Sequence, residues 1–492
     1  MSTVLWNRVF FAGLYSLIFT WRTFTRCDEE AYGTLDPEGR QRYLPLIDGD
    51  LLPAMLLTLI PCGLILLGAA PTFQMLLTMC VDIFPHICLY YALLLLAAPF
   101  LRNHISARAC GILWLLPNYL YLTQIYNMKL PRPLATLHVP GRLAAILAGI
   151  WLLGFLAVLV WNVAKHLCFR KELLRHAVPV TDPAILEVFQ KERAELAVRA
   201  PGLQLVTTDD VSTPLAIGLY RHWLRIVLPQ RSYSPEELRL IFRHELVHIS
   251  RRDSWAKFFM MFCTAMCWFN PLMWLAMRKG AEDFELSCDE TVLLDAYDAS
   301  AREQYAELLL RTAGDDRGFS TCLSASAASL RYRLRAIVRP EKRPSGALLV
   351  GLTSFLLCMT CGYFSLAYGE DTGAVTIFRN HDPGEFTVER ITLYDGTSEA
   401  SVSKGEVVNG EALTQYLAGI RTQRMTGNYT YAGEAWTLSV VLYGSAGEAI
   451  TVELQTDCLR VRHWADEDRR WNIYHLPEPV DWDFIPSAVT LR

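Results

Sequence analysis

Long apolar runs alternate along this chain with stretches of ordinary amphipathic sequence. Val4–Trp21, Leu51–Ala70, Met75–Phe100 and Leu143–Val163 each approach the roughly 20 residues of helix that cross a hydrocarbon core. Ala109–Leu122 is shorter and carries Pro117 and Asn118, which makes it a weaker span, and Gly346–Tyr368 is a strong sixth. The first run lacks a basic leader and a small-residue cleavage site, so it predicts an uncleaved membrane helix rather than a signal peptide. Asp82 and His86 fall on one face of the third run, and ionisable groups at membrane depth raise the question of a function there.

Between the runs, Lys165–Arg343 and Gly369–Arg492 have globular patterning. Asp182–Val198 has helical periodicity. Leu203–Val206, Ile217–Tyr220 and Leu224–Leu228 predict short strands, the last two around a turn at Arg221–His222. Ser234-Pro235-Glu236-Glu237 is a helix start, with a capping serine, proline at the first position and a glutamate three residues on. Asp253–Phe269 and Pro271–Leu294 predict two helices broken at Asn270–Pro271, the first apolar enough to touch or enter a bilayer. In the tail, Thr437–Tyr443 and Ala449–Leu454 alternate as half-buried strands joined at Gly444–Gly447. Trp436, Trp464, Trp471 and Trp482 are expected in an aromatic core, with a ligand site the rarer alternative.

Composition adds compartments to this pattern. The chain has 492 residues, 52% of them hydrophobic, and a net charge of -4, and nothing in that balance suggests nucleic-acid binding. From Glu370 onward, 10 Lys and Arg face 19 Asp and Glu, so the remainder of the chain is basic. Lys165, Arg170, Lys171 and Arg175 follow one apolar run, and Arg331, Arg333, Arg335, Arg339, Lys342 and Arg343 precede the next. Retained loops are enriched in Lys and Arg, so Lys165–Arg343 is expected in the cytoplasm and the acidic tail outside. Of the 13 cysteines the tail holds only Cys458, which excludes a disulfide-stapled tail, while Cys358 and Cys361 read as small packed residues of an apolar helix.

The chemistry centres on His244-Glu245-Leu246-Val247-His248. Two histidines four apart on a helix leave the same face and can bind one tetrahedral metal. Glu245, beside the first, is placed to take a proton from a water that the metal acidifies and to hand it to the leaving amine. A catalytic site needs a third protein ligand and an open position. Glu282, Glu285 and Asp289 share one face of the later helix, and their spacing leaves all three as candidates.

His244–His248 with Asp253, Trp268-Phe269-Asn270-Pro271 with Trp274, and Glu285-Leu286-Ser287-Cys288-Asp289-Glu290 together resemble the BlaR/MecR-type receptor metalloproteases, integral-membrane antirepressors of Gram-positive bacteria. Thr213–Tyr220, Arg225–Pro229 and Arg331–Ile337 resemble further segments of that family, so the likeness covers roughly residues 140 to 368. The resemblance implies that Glu285 is the third ligand, that Asp289 orients a ligand histidine, that Glu282 is a surface residue, and that Ile217, Gly218, Leu219 and Tyr220 line the substrate cleft of a gluzincin. It also implies one zinc ion and, as partner, a protein substrate such as a winged-helix repressor. A penicillin-binding sensor like that of the best-known members is not expected in the tail, which is below the usual size of such a domain, and Ser401-Val402-Ser403-Lys404 lacks the accompanying motifs of an acylated serine.

The expected architecture is an α-helical integral membrane protein with a cytoplasmic α+β zincin-type metalloprotease domain and a small β-rich extracytoplasmic C-terminal domain. Its boundaries are 1–164 for the membrane helices, 165–343 for the protease, 346–368 for the last span and 369–492 for a sensor. The expected location is the cell membrane, multi-pass, with the bilayer as a partner, no direct nucleic-acid contact and a homodimer left open. Two alternatives stand beside the signalling protease: a Ste24/HtpX-like processing or quality-control protease, and a non-catalytic receptor scaffold.

Overall fold

A computed structural model of the chain describes residues 3–32, 42–46, 51–66, 68–123, 133–139, 143–220, 222–294, 299–312, 327–339, 343–395, 402–407, 409–427, 436–466, 471–484 and 489–491. The chain forms two units: Met1–Gly68 with Ile83–Ile125 and Leu152–Thr360, and Ala69–Asp82 with Tyr126–Trp151 and Cys361–Arg492.

The first unit opens with α1 (Thr3–Phe24), α2 (Asp28–Tyr32), α3 (Leu51–Leu66), the larger part of α4 (Ala69–His104), α5 (Ala107–Leu115), α6 (Leu120–Thr123) and most of α7 (Leu143–Arg175). Among the described residues, two helices are long and apolar enough to cross a membrane, over Thr72–His104 and Leu143–Arg175. On α7, Ile146, Leu147, Ile150, Leu153 and Trp161 stand exposed, and so large a bare apolar surface needs an apolar cover.

The expected span Ala109–Leu122 is not one helix. Pro117 has no N–H to donate, and the chain passes through a 3-10 turn at Leu116–Tyr119 between α5 and α6. Every residue of α5 is buried, so protein rather than lipid surrounds it. The expected span Gly346–Tyr368 is also shorter, because its helix, α14 (Ala347–Thr360), stops before Gly362 at φ 91° and a strand begins at Phe364. An apolar run alone does not separate a helix from a buried strand, and here it contains both.

The protease-like part of this unit follows α7 as β2 (Val178–Pro179), α8 (Pro183–Glu195), β3 (Gln204–Thr208), β4 (Leu215–Ile217), β5 (Arg225–Pro229), α9 (Pro235–Ser250), α10 (Asp253–Met266), α11 (Pro271–Val292), α12 (Ala299–Thr312) and α13 (Ala327–Val338). The sheet order is β2-β3-β5-β4, with β3 and β5 parallel and β4 antiparallel on the edge. Phe189 of α8, Leu205 of β3, Ile226 of β5, Phe242 and Leu246 of α9 and Tyr305 of α12 share one core. Burying each such side chain contributes about 1.5–3 kcal/mol. The apolar side chains of α10, among them Phe259, Met260, Met261 and Phe262, are buried within the unit, which accounts for an apolar stretch that could otherwise belong in a bilayer.

The second unit is a ten-stranded sheet of β1 (Ala135–Val139), β6 (Phe364–Thr372), β7 (Phe386–Asp395), β8 (Val402–Val407), β9 (Arg421–Met425), β10 (Trp436–Gly444), β11 (Ala449–Leu454), β12 (Cys458–His463), β13 (Asn472–His475) and β14 (Val489–Leu491), with short helices α15 (Gly373–Thr376) and α16 (Gly410–Gly419). The alternation read from the sequence places Leu438, Val440 and Leu442 of β10 and Ile450, Val452 and Leu454 of β11 in its core. β1 joins the tail strands in parallel with β6, a pairing that 224 residues of intervening sequence conceal in the linear pattern. Trp482 packs against the core, Trp471 lies under the guanidinium groups of Arg460 and Arg462, and Trp464 is exposed. The side chain of Trp436 and residue Ser401 lie outside the described residues, and Ser403 and Lys404 belong to β8.

Candidate metal centre

α9 carries both histidines, and its start is locked in the way the sequence dictates. The Ser234 hydroxyl accepts from Glu237 N–H while the Glu237 carboxylate accepts from Ser234 N–H, a closed capping box. From that fixed start α9 carries His244 and His248 one turn apart, His244 half-buried and His248 buried. Glu245 is 3% exposed, one residue on from His244.

The two imidazoles are oriented from behind. His248 Nδ1 lies 2.7 Å from Asp253 Oδ2, and His244 Nδ1 lies 2.8 Å from the Tyr305 hydroxyl, which itself donates to Asp289 Oδ1 at 2.7 Å. In each ring the Nδ1 proton therefore has an acceptor and the lone pair is left on Nε2. The two Nε2 atoms face each other at 3.1 Å. Two buried lone pairs so placed repel unless a cation lies between them.

Glu285 on α11 brings a carboxylate oxygen to the same space. Its Oε2 is 3.7 Å from His244 Nε2 and 3.7 Å from His248 Nε2. Tetrahedral ligation with bonds of 2.0–2.2 Å sets donors about 3.3 Å apart, so this triangle fits a zinc-sized ion to within a few tenths of an ångström. Cys288, one turn further, offers a competing donor, since its sulfur and donor atoms of His244 and His248 all lie within 4.8 Å of one another. Its sulfur approaches His244 at Nδ1, 3.7 Å away, the nitrogen already occupied by Tyr305. Glu285 Oε2 instead lies 3.7 Å from Nε2 of each histidine.

Charge around the triangle is balanced in pairs. Glu285 Oε1 accepts from Lys257 Nζ of α10 at 3.0 Å, leaving Oε2 to the histidines. Asp289 accepts from Arg333 of α13 through both oxygens, at 2.6 and 2.7 Å. Asp253 accepts from Arg251 Nε at 3.3 Å. Burial pushes the Glu285 carboxyl up, but Lys257 and the imidazoles outweigh it and hold the group well below the usual range. Burial depresses His244, but Cys288 and Glu285 outweigh it and lift the imidazole to about 10. His248 is raised for the same reasons, with Asp253 adding to the effect. A protein without its cation thus retains protons in that space, as expected where metal and proton compete for the same lone pairs.

Of the residues singled out in the sequence, His244, His248 and Glu285 converge, Glu245 is buried at the next position of the helix after His244, and Asp289 reaches His244 through Tyr305. Glu282 points elsewhere and pairs with Lys279 and Arg102. Asp253, Lys257, Tyr305 and Arg333 were not assigned roles from the sequence. Only Asp253, one turn past His248, carried a local signal.

The cleft-lining residues depart from the expected strand. β4 ends at Ile217, which is fully buried, and Gly218 turns at φ 125°. A Cβ at Gly218 would lie 2.5 Å from the Trp223 carbonyl oxygen, so only glycine lets the hairpin close this tightly. Gly218, Leu219 and Tyr220, without Ile217, line a 380 Å³ cleft that also contains His248 and Trp255. Trp255 Nε1 donates to Leu219 O at 2.9 Å, tying this side of the cleft to α10.

A family model described as BlaR1 peptidase M56 matches residues 124–337, the span that holds this site. The regulatory protein BlaR1 of Bacillus licheniformis is 26% identical over 186 residues, 37% of this chain and 30% of that protein, so this chain spans less than a third of that relative's length. Residues 124–337, which hold the paired histidines and the facing glutamate, thus carry a peptidase domain similar to that of BlaR1, in a chain with two described helices of membrane-crossing length.

Proposed function

We propose that this chain is a membrane-embedded zinc metalloendopeptidase that couples a signal received by its C-terminal domain to cleavage of a cytoplasmic protein, by analogy with the regulatory relative a transcriptional repressor. The observation that carries the reading is the donor triangle of His244 Nε2, His248 Nε2 and Glu285 Oε2, with sides of 3.1, 3.7 and 3.7 Å. Two nitrogens and one carboxylate oxygen suit zinc and leave a fourth position open.

When bound, zinc supplies Lewis acidity that polarises a peptide carbonyl and makes water nucleophilic near neutral pH. The chain's own residues do the rest. β4 is an edge strand, the position from which an extended peptide can be paired, and the cleft beneath Tyr220 and Trp255 holds its side chains. Glu245 takes the proton of the attacking water as the new C–O bond forms and returns it to the amine as the C–N bond breaks. Asp253 and the Tyr305–Asp289 pair keep both imidazoles in the ligating tautomer. Lys257 occupies one oxygen of Glu285, so that the carboxylate presents the other.

The basic residues flanking residues 165–343 support a cytoplasmic protease domain, and one further crossing would carry residues 369–492 outside. The test is to compare the proteins cleaved in cells carrying the wild type and Glu245→Gln. The reading expects at least one cytoplasmic protein to be cut only with the wild type. Identical cleavage patterns, with the signalling response intact in Glu245→Gln, contradict it.

A further inference from the structure

The basic run Arg331–Arg343 has the composition of a segment at a membrane face, yet its members differ in what they touch. Arg331 and Arg335 are exposed on α13 and Arg339 is exposed just past its end, whereas Arg333 is 8% exposed and directed at α11. Its Nε and Nη2 donate to Asp289 Oδ2 and Oδ1 at 2.6 and 2.7 Å, and its Nη1 lies 3.5 Å from Glu285 Oε2, the oxygen that faces both histidines. Asp289 in turn accepts from Tyr305, whose hydroxyl meets His244 Nδ1. One guanidinium therefore touches two of the groups that shape the donor triangle and, through two hydrogen bonds, orients a third.

A bidentate guanidinium–carboxylate pair fixes direction as well as distance, which a single lysine contact does not. The residue before it also reaches α11: the Tyr332 hydroxyl donates to Asp283 Oδ1 at 3.2 Å, and Arg102 lies over the Tyr332 ring at 4.8 Å. α13 thus grips α11 at Asp283 and Asp289, on either side of Glu285. α13 is also the last helix before the apolar α14.

We propose that Arg333 is a positioning residue for the metal centre, and that the docking of α13 on α11 sets how well His244 and Glu285 hold the ion. This rests on the metallopeptidase reading above. It adds that the element next to the final apolar helix controls the geometry of the donor set, so that a movement of α13 reaches His244 through Asp289 and Tyr305.

The experiment measures zinc affinity by chelator competition, and the ligand-field spectrum of the cobalt-substituted protein, on the full chain. The variants are Arg333→Met, Arg333→Lys, Asp289→Asn, the double variant Arg333→Met with Asp289→Asn, and Tyr332→Ala. Arg333→Met is expected to lose about 10–100-fold in affinity, the usual effect of removing a group that orients a ligand, with a changed cobalt spectrum. Arg333→Lys should recover part of the affinity, the double variant should be no weaker than the weaker single one, and Tyr332→Ala should fall in the same direction by a smaller factor. Wild-type affinity and spectrum in Arg333→Met, or in Arg333→Lys should the methionine variant not fold, overturn the positioning role. Wild-type affinity in Tyr332→Ala overturns the dependence on docking. A wild-type chain that binds neither zinc nor cobalt defeats the metallopeptidase reading itself, an outcome distinct from both.

Discussion

The carboxylate of Asp253 lies 2.7 Å from Nδ1 of His248, and both side chains are buried. Burial raises the Asp253 carboxyl, but Arg251 and His248 outweigh it and keep it ionised below its ordinary value. A carboxylate behind a ligating imidazole fixes its tautomer and strengthens it as a donor. Asp253→Asn is therefore expected to weaken zinc binding about 10–100-fold while the chain stays folded. Chelator competition measures this, and an affinity within twofold of the wild type excludes the role.

Glu285 and Lys257 form a buried pair at 3.0 Å, so Glu285→Ala does two things at once. It removes the third donor, and it strands a buried ammonium, at a cost of about 3–5 kcal/mol. Replacing Lys257 by methionine in the same chain removes the stranded charge. The double variant is expected to regain most of the stability while remaining unable to hold zinc tightly. Thermal melts and metal titration separate the two effects, and recovery of tight zinc binding in the double variant would show that Glu285 is not a ligand.

The same groups give the metal-free chain a pH signature. Glu285 is held well below its usual value, so its contribution to stability is present above about pH 4.3 and is lost as pH falls towards the folded value. His244 is raised to about 10, so its contribution is complete below about pH 6.5 and is lost as pH rises towards 10. Without metal, stability should peak between about pH 5 and 6.5. Zinc must displace the imidazole protons, so the stabilisation it confers should grow between about pH 6 and 9. Melting curves with and without chelator test both trends, and a zinc effect that shrinks with rising pH contradicts the account.

Gly218 closes the hairpin above the cleft at a φ that side chains rarely adopt, with no space for a Cβ. Gly218→Ala is expected to cost roughly 1–3 kcal/mol and to distort the cleft at Leu219 and Tyr220. Zinc content should be unchanged, because none of the donors lies in that hairpin. A fall in kcat/KM with full metal loading is the expected result, and loss of zinc would show that the hairpin supports the metal site as well.

Those residues whose partners lie one or two helical turns away were legible in the sequence. The Ser234–Glu237 box and the four-residue spacing of His244 and His248 are local, and local geometry sufficed. For Glu285, spacing left three acids on one helix face, and the structure distinguishes them by what meets each: Arg102 and Lys279 at Glu282, both histidines at Glu285, Arg333 at Asp289. Lys257, Tyr305 and Arg333 come from three different helices, and no periodicity relates them to His244. The run from Gly346 to Tyr368 holds a helix and a strand that hydropathy does not separate, since it reports burial and both α14 and the start of β6 are apolar. β1 carries no local signal because its partner strand lies far away in sequence.

The central claim is that His244, His248 and Glu285 hold one zinc ion that Glu245 uses to cut protein. The most direct measurement is the zinc content of the purified full chain alongside chelator-sensitive cleavage of labelled casein, for the wild type, Glu245→Gln and His244→Ala. One zinc per chain is expected in the wild type and in Glu245→Gln, little or none in His244→Ala, and cleavage by the wild type alone. A wild-type chain without zinc, or a Glu245→Gln chain that cuts as fast as the wild type, contradicts the claim.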